Sequence, residues 1–218
     1  MTMLRLFLLN TVLFPQMKLP LHVFEERYKQ LVADCLAADE AFGVLLIREG
    51  PEVGNQFTEP YLIGCTTQIE SAEPIGNGRL MINTRGERRF RIVELHDDAP
   101  YRSATVEYPV DEISEVPESL LERATEGYRQ ISKLRAITGG LFQRAPAIPK
   151  APGMLADLIA CAAGGLVDTI QLQKVLESFD NRERLEAAVD LLDSIVEAHH
   201  EHARMAIHKR YGGIERLN

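Results

Sequence analysis

An α+β fold is predicted by three features of this 218-residue sequence. Up to about residue 109 the apolar residues fall in short runs or alternate with polar ones, the spacing of strands. After Pro117 they recur every three or four residues, the spacing of helices. Between the two regimes, Pro109 and Pro117 bracket an acidic stretch. The expected organisation is a strand-rich unit over residues 1–113 with one inserted helix, then a helical bundle over residues 114–218.

In the first unit, residues 4–9 form a compact apolar run that residues 12–14 extend as far as Pro15. Phe24, Tyr28, Leu31 and Cys35 then repeat at spacings of four, three and four, which predicts one face of a helix ending near Ala38. Residues 43–47 are wholly apolar and read as a buried strand, stopped by Gly50 and Pro51. Residues 49–60 hold two glycines and two prolines without periodicity and are expected to be a loop. A strand resumes over 61–69, where Gly64 suggests a bulge or a close backbone approach. The turn signal Gly76-Asn77-Gly78 predicts a hairpin between residues 69–75 and 79–83. A further strand is expected around Phe90 and Ile92, and a last one over 101–108.

In the second unit, Leu120, Ala124, Tyr128, Ile131 and Leu134 describe a helical stripe that ends at Gly139-Gly140. A Pro- and Ala-rich loop follows over 141–152. Leu155, Leu158, Ile159 and Ala162 begin a second helix, closed by Gly164-Gly165, and residues 171–179 make a short third. Asp180 has the chemistry of an N-cap for the fourth, with Glu183 placed to complete a capping box.

The hydrophobic share of 45% is enough to bury a core, and nothing in the composition calls for disorder. The net charge is −8 and the pI about 5.3, so general binding of phosphate backbones is disfavoured. Neither unit is basic: residues 1–113 carry 11 Lys and Arg against 17 Asp and Glu, and residues 114–218 carry 13 against 15. Cys35, Cys65 and Cys161 are scattered among apolar neighbours, which fits buried thiols in a reducing compartment better than a disulfide framework or a zinc site. The apolar N-terminus is too short and too broken for a signal peptide, and no stretch is long enough to span a membrane. The cytoplasm is the expected location.

Catalytic signatures are missing. There is no phosphate-cradling G-x-x-x-x-G-K-[ST] loop, no G-x-S-x-G elbow and no H-E-x-x-H helix. Ser132 and Lys133 are adjacent on a helix, where neighbouring side chains diverge, so they do not form a nucleophile pair. His199, His200, His202 and His208 crowd the last helix with Glu197, but a metal site there needs a matching Glu-x-x-His from a facing helix. A solvated, His-rich helix end is the expectation, with no metal and no cofactor. Arg85, Arg88, Arg89 and Arg91 make the one dense basic cluster; strand alternation and the flanking Glu87 and Glu94 suggest a solvated outer face. Asp97 and Asp98 precede Ala99-Pro100 and read as a turn.

The ordered set LLNTVLFP (8–15), LPL (19–21) and FEERY (24–28) resembles the opening of the Lon protease N-terminal domain family. YLIGC (61–65), GERRFRI (86–92) and residues 101–107 are similar to its later strands. PGMLADLI (152–159), LQKVLE (172–177) and RERL (182–185) are similar to its helical part, so the likeness runs in order from Leu4 to Val196. The resemblance implies a PUA-like pseudo-barrel followed by a helical bundle, with a role in contacting protein substrates. In full-length Lon, ATPase and Ser–Lys protease modules follow this region. The present sequence ends at Asn218, before either module, so a chain without energy-dependent proteolysis of its own is expected.

The function expected from these readings is a non-catalytic module that binds unfolded or partly folded proteins through exposed apolar segments, with a protease or chaperone as a candidate partner. Phe57 in the first loop, and Leu141 and Phe142 in the second, are apolar residues in polar or Pro-rich surroundings and are the candidate contact points. The alternative is RNA binding through the PUA-like barrel, against which stand the acidic pI and an aromatic share of only 6%.

Overall fold

A computed structural model describes residues 2–54, 58–97, 100–139 and 147–211. Seven strands precede four of the five helices, the α+β order expected from the period change. The strands are β1 (Thr2–Leu9), β2 (Lys18–Val23), β3 (Phe42–Glu49), β4 (Glu59–Pro60), β5 (Ile63–Pro74), β6 (Leu80–His96) and β7 (Ser103–Glu107). The helices are α1 (Glu26–Ala38), between β2 and β3, then α2 (Glu118–Gly139), α3 (Pro152–Ala163), α4 (Thr169–Glu177) and α5 (Asn181–Tyr211). Among the described residues no helix is long and apolar enough to cross a membrane.

Pairing runs β1-β7-β6-β5-β3, and a parallel pairing of β3 with β1 brings the two ends of that path together. The result is a pseudo-barrel rather than a regular closed barrel, because β2 branches from β6 and β4 hangs off β3. β1 explains why residues 4–9 carry no alternation. Its Phe7 and Leu9 pack with the inner face of α1, while Leu4, Leu6 and Leu8 join Phe90, Ile92 and Val106 on the other side. A strand buried on both faces reads as a continuous apolar run. β3 behaves in the same way, with Val44 on one side and Leu45 and Ile47 on the other.

Tyr28, Leu31, Val32 and Cys35 are buried on α1, as the spacing predicts. Phe24 is not. The helix starts at Glu26, so Phe24 lies ahead of the first turn, off the buried face, and stays 45% exposed. The hairpin at residues 76–78 forms, and Asn77 and Gly78 both take positive φ (51° and 66°), the backbone a tight strand reversal demands. Residues 12–14 do not extend β1; Val12, Leu13 and Phe14 are buried in a non-strand segment. The expected separate strands around residues 79–83 and 90–92 are one strand, β6, of 17 residues. A bulge opposite residues 65–67 interrupts the alternation along it, and so the sequence pattern suggests two pieces.

The helical core also recruits Val12, Phe14 and Leu46 from the strand-rich part. The connection over residues 109–117 is strapped to the α4–α5 junction. Glu112 N–H donates to Phe179 O at 2.9 Å, and Asn181 N–H donates to Glu112 O at 3.1 Å. Asp180 caps α5 as expected, accepting from the backbone N–H groups of Arg182 and Glu183, each at 2.9 Å. A complete reciprocal capping box occurs one helix earlier, between Asp168 and Gln171 at the start of α4. The Ser114 hydroxyl, then the Glu183 and Arg182 backbone donors, hold the Asp180 carboxyl below its ordinary range. Its folded-state value lies below its unfolded one, so the cap stabilises at neutral pH and that contribution fades as pH falls through the lowered value. The urea midpoints of wild type and Asp180→Ala should therefore differ by a constant amount above about pH 5 and converge towards about pH 2.

Candidate functional site

The strand-rich part and α3 meet along a cleft. One half of it, about 510 Å³, is lined by Pro15, Met17, Pro149, Met154, Leu158 and Cys161, with Lys18 and Glu87 beside them. The other half, about 390 Å³, is lined by Arg88, Tyr108, Val110, Asp111 and Arg184. Pro15, Glu87, Met154 and Asp157 line both halves, which makes them one continuous depression with an apolar end and a charged end.

Local chemistry builds each wall. The turn that presents Pro15 and Met17 is pinned to β6 by Gly86: Gln16 N–H donates to Gly86 O at 2.8 Å, and Gly86 N–H donates to Met17 O at 2.9 Å. A Cβ at position 86 would run into the carbonyl oxygen of Phe14, so the approach requires glycine. The opposite wall is α3, which starts at a proline suited to a first helical turn. Met154, Leu158 and Cys161 stand four and three residues apart and so share the face towards the cleft. Met154 is 56% exposed there, a flexible thioether side chain without a full set of neighbours. At the charged end Val110 is 86% exposed.

Two Arg–Asp pairs lie under the cleft. Arg89 reaches from β6 to Asp157 on α3, both of its terminal nitrogens bonding the carboxylate, while its Nε donates to Leu176 O at 2.9 Å. Both side chains are buried. Arg89 therefore does not lie on a solvated face, as the sequence suggested for the whole basic cluster. The helices cover its side of β6, whereas Arg85 and Arg91 remain in exposed pairs with Glu70 and Glu107. The second pair joins Arg184 of α5, fully buried, to Asp111 at 2.8 and 2.5 Å. Gly153 makes room for it, since a Cβ there would sit 2.9 Å from Arg184 Nη1. Above these pairs the guanidinium of Arg88 stacks on the Tyr108 ring at 3.5 Å.

This arrangement can hold a chain segment; its residues are poor candidates for covalent chemistry. Burial pushes the Cys161 thiol up to about 12, far from a thiolate at neutral pH. Burial likewise pushes Cys35 up to about 11, and Cys65 upward as well. Among the described residues no three His, Cys, Asp or Glu side chains come together as metal ligands. The side chains of His199, His200, His202 and His208 lie outside the described residues, although α5 includes their backbone. Phe57, Leu141 and Phe142, the contact points expected from sequence, also lie outside the described residues. The described end of the second loop, Ala147 and Pro149, lines the apolar half of the cleft.

Sequence reasoning missed Met154, Arg88 with Tyr108, and both Arg–Asp pairs. One signal was present. Asp157 is the single charge in an otherwise apolar helix, PGMLADLIACAA, and a lone charge among core positions calls for a buried partner. Which arginine would meet it is a matter of long-range contact that spacing does not encode.

A second groove, about 420 Å³, lies between α2 and α5, with the exposed Arg123–Asp193 pair at its rim. Both its walls belong to the helical part.

Comparison with known proteins adds a family. The model of the ATP-dependent protease La (LON) substrate-binding domain matches residues 3–194. The Lon protease of Syntrophus aciditrophicus is 30% identical over 184 residues, covering 81% of this chain and 23% of that protein. Lon protease 2 of Myxococcus xanthus is 29% identical over 191 residues, covering 84% of this chain and 22% of that protein. The chain thus spans less than a quarter of the length of these relatives. Among solved structures, the Lon N-terminal domain protein from Xanthomonas campestris matches with a TM-score of 0.60 at 29% identity, covering 85% of this chain and 96% of that one. The N-terminal domain of the Mycobacterium avium complex Lon protease matches with a TM-score of 0.61 at 16% identity, a likeness of fold.

Proposed function

The chain belongs to the LON substrate-binding domain family, and on that premise we propose that it is a substrate-recognition module whose junction cleft takes extended, apolar segments of unfolded or partly folded proteins. The strand-rich unit (1–113) forms one wall in this reading, and the helical unit (114–218) the other. The observation that carries it is the apolar half of the cleft, where Met154 stands 56% exposed beside Pro15, Met17 and Leu158. Apolar side chains left open in a concave surface gain by being covered, and a thioether adapts to varied partners. Binding without catalysis, in the cytoplasm, is the role that follows, with bound segments passed to a separate protease or chaperone. The acidic net charge of −8 supports protein rather than RNA as the partner.

Met154→Glu tests this reading. The position is exposed, so the fold should be kept, and an unchanged thermal midpoint would verify that. Affinity for a permanently unfolded probe, such as reduced and carboxymethylated lactalbumin, should fall about tenfold, the worth of one buried apolar side chain. Equal affinity of wild type and variant would remove the cleft as the binding site.

A further inference from the structure

We infer that the cleft selects segments carrying a carboxylate next to their apolar residues, and that Arg88 binds it. The inference rests on the proposed peptide-binding role and specifies the ligand of the same site. At the charged end four of the six ionic side chains are already matched: Arg89 with Asp157, and Arg184 with Asp111. Glu87 and Arg88 remain. Glu87 accepts a hydrogen bond from Thr66 Oγ1 at 3.4 Å and lines both halves of the cleft. Arg88 lines the charged half alone, and among the described residues no carboxylate pairs with it. Its carbonyl accepts from Thr66 Oγ1 at 3.4 Å, its guanidinium carbon lies over the Tyr108 ring at 3.5 Å from the centre, and the residue is exposed. An exposed guanidinium lying over a ring carries its N–H donors in one planar fork, and that fork matches the two oxygens of a carboxylate.

Charge complementarity favours this occupant over the other polymers that carry negative charge. A phosphate backbone presents a charge at every residue and needs several cations in a row. The cleft offers Arg88 at one end and Lys18 at the other, with Glu87 lining both halves, on a chain of net charge −8. A single carboxylate needs one fork. The apolar residues of the segment would lie over Met154 and Leu158, and its acidic group beyond Glu87 at Arg88.

Two fluorescent peptides test the idea: one apolar segment followed two residues later by Asp, and the same peptide with Asn in that place. Fluorescence anisotropy should show the Asp peptide about fivefold tighter on the wild-type chain at low salt, the scale of one charge-assisted contact. Arg88→Gln should bring the two peptides to equal affinity, and Arg88→Lys, which keeps the charge without the fork, should retain part of the difference. Glu87→Gln, which removes the neighbouring negative charge, should widen the preference for Asp. Equal binding of both peptides to the wild-type chain, or a preference that survives Arg88→Gln, would overturn the role of Arg88 while leaving the apolar cleft in place. Failure of both peptides to bind would overturn both readings. A single-stranded RNA oligonucleotide that binds more tightly than either peptide and is lost in Arg88→Gln would assign the site to nucleic acid and overturn the inference.

Discussion

Asp157→Ala should destabilise the chain by about 3–5 kcal/mol, because it strands a buried guanidinium. Arg89 and Asp157 are 6% and 9% exposed, and the carboxylate takes both terminal nitrogens of the arginine. Without it, Arg89 keeps only its bond to the Leu176 carbonyl. The desolvation of the charge is then uncompensated, and the loss exceeds the worth of the hydrogen bonds themselves. The double variant Arg89→Met with Asp157→Leu should recover most of the stability, since an apolar pair there adjoins the helical core residues Ala156, Ala160 and Leu176. Urea unfolding with an unchanged m value measures both. A cost below about 1 kcal/mol for the single variant would mean that this pair does not hold α3 to the barrel.

Phe90→Ala should cost about as much, roughly 3–5 kcal/mol, by opening a cavity between β3, β5 and β6. The ring is fully buried and sits in space left by two glycines. A Cβ on Gly43 would come within 2.6 Å of Phe90 Cζ, and one on Gly64 within 2.9 Å. The two glycines should nevertheless respond differently when the ring is removed. Gly43→Ala clashes with side chains, those of Phe90 and Leu4, so its cost should shrink in the Phe90→Ala background. Gly64→Ala also drives into the backbone carbonyl of Val44, which does not yield, and should remain costly in both. A double-mutant cycle for each glycine separates the cases; equal coupling at the two sites would contradict this packing.

Most of the fold was legible because its elements follow local rules. Tyr28, Leu31 and Cys35 lie on one helical face, and that spacing survives in α1. Gly76, Asn77 and Gly78 supply the positive φ angles of a hairpin. Asp180 caps α5 with its own side chain. The errors arose where a local rule met an exception. No strand is predicted over residues 18–23, where Pro20 interrupts the pattern, yet they form β2, which among the described residues pairs with β6 alone, and a proline is tolerated on such an edge. The bulge in β6 broke a long strand into two apparent pieces. Phe24 matched the helical period but stands before the helix begins.

The candidate site was much less legible. Its walls come from the turn at residues 14–17, the middle of β6, the segment after β7 and α3, which are remote in sequence. Met154 reads as one more apolar residue of a core helix, and only the packing around it shows that it is left open. Arg88 and Arg89 are adjacent and of the same type, yet one is exposed and the other buried against Asp157. Alternation along a strand states that they face opposite ways; which side the helices cover is decided by long-range packing.

The α+β order, the helix inserted among the strands and the absence of familiar catalytic signatures were therefore determined by the sequence alone, because periodicity, turn chemistry and motif spacing are properties of neighbouring residues. The cleft between barrel and helices, the Arg–Asp pairs beneath it and the placing of Arg88 over Tyr108 were decided by the tertiary structure. Each depends on groups far apart in the chain being brought within a few ångströms, where burial and charge pairing set their chemistry.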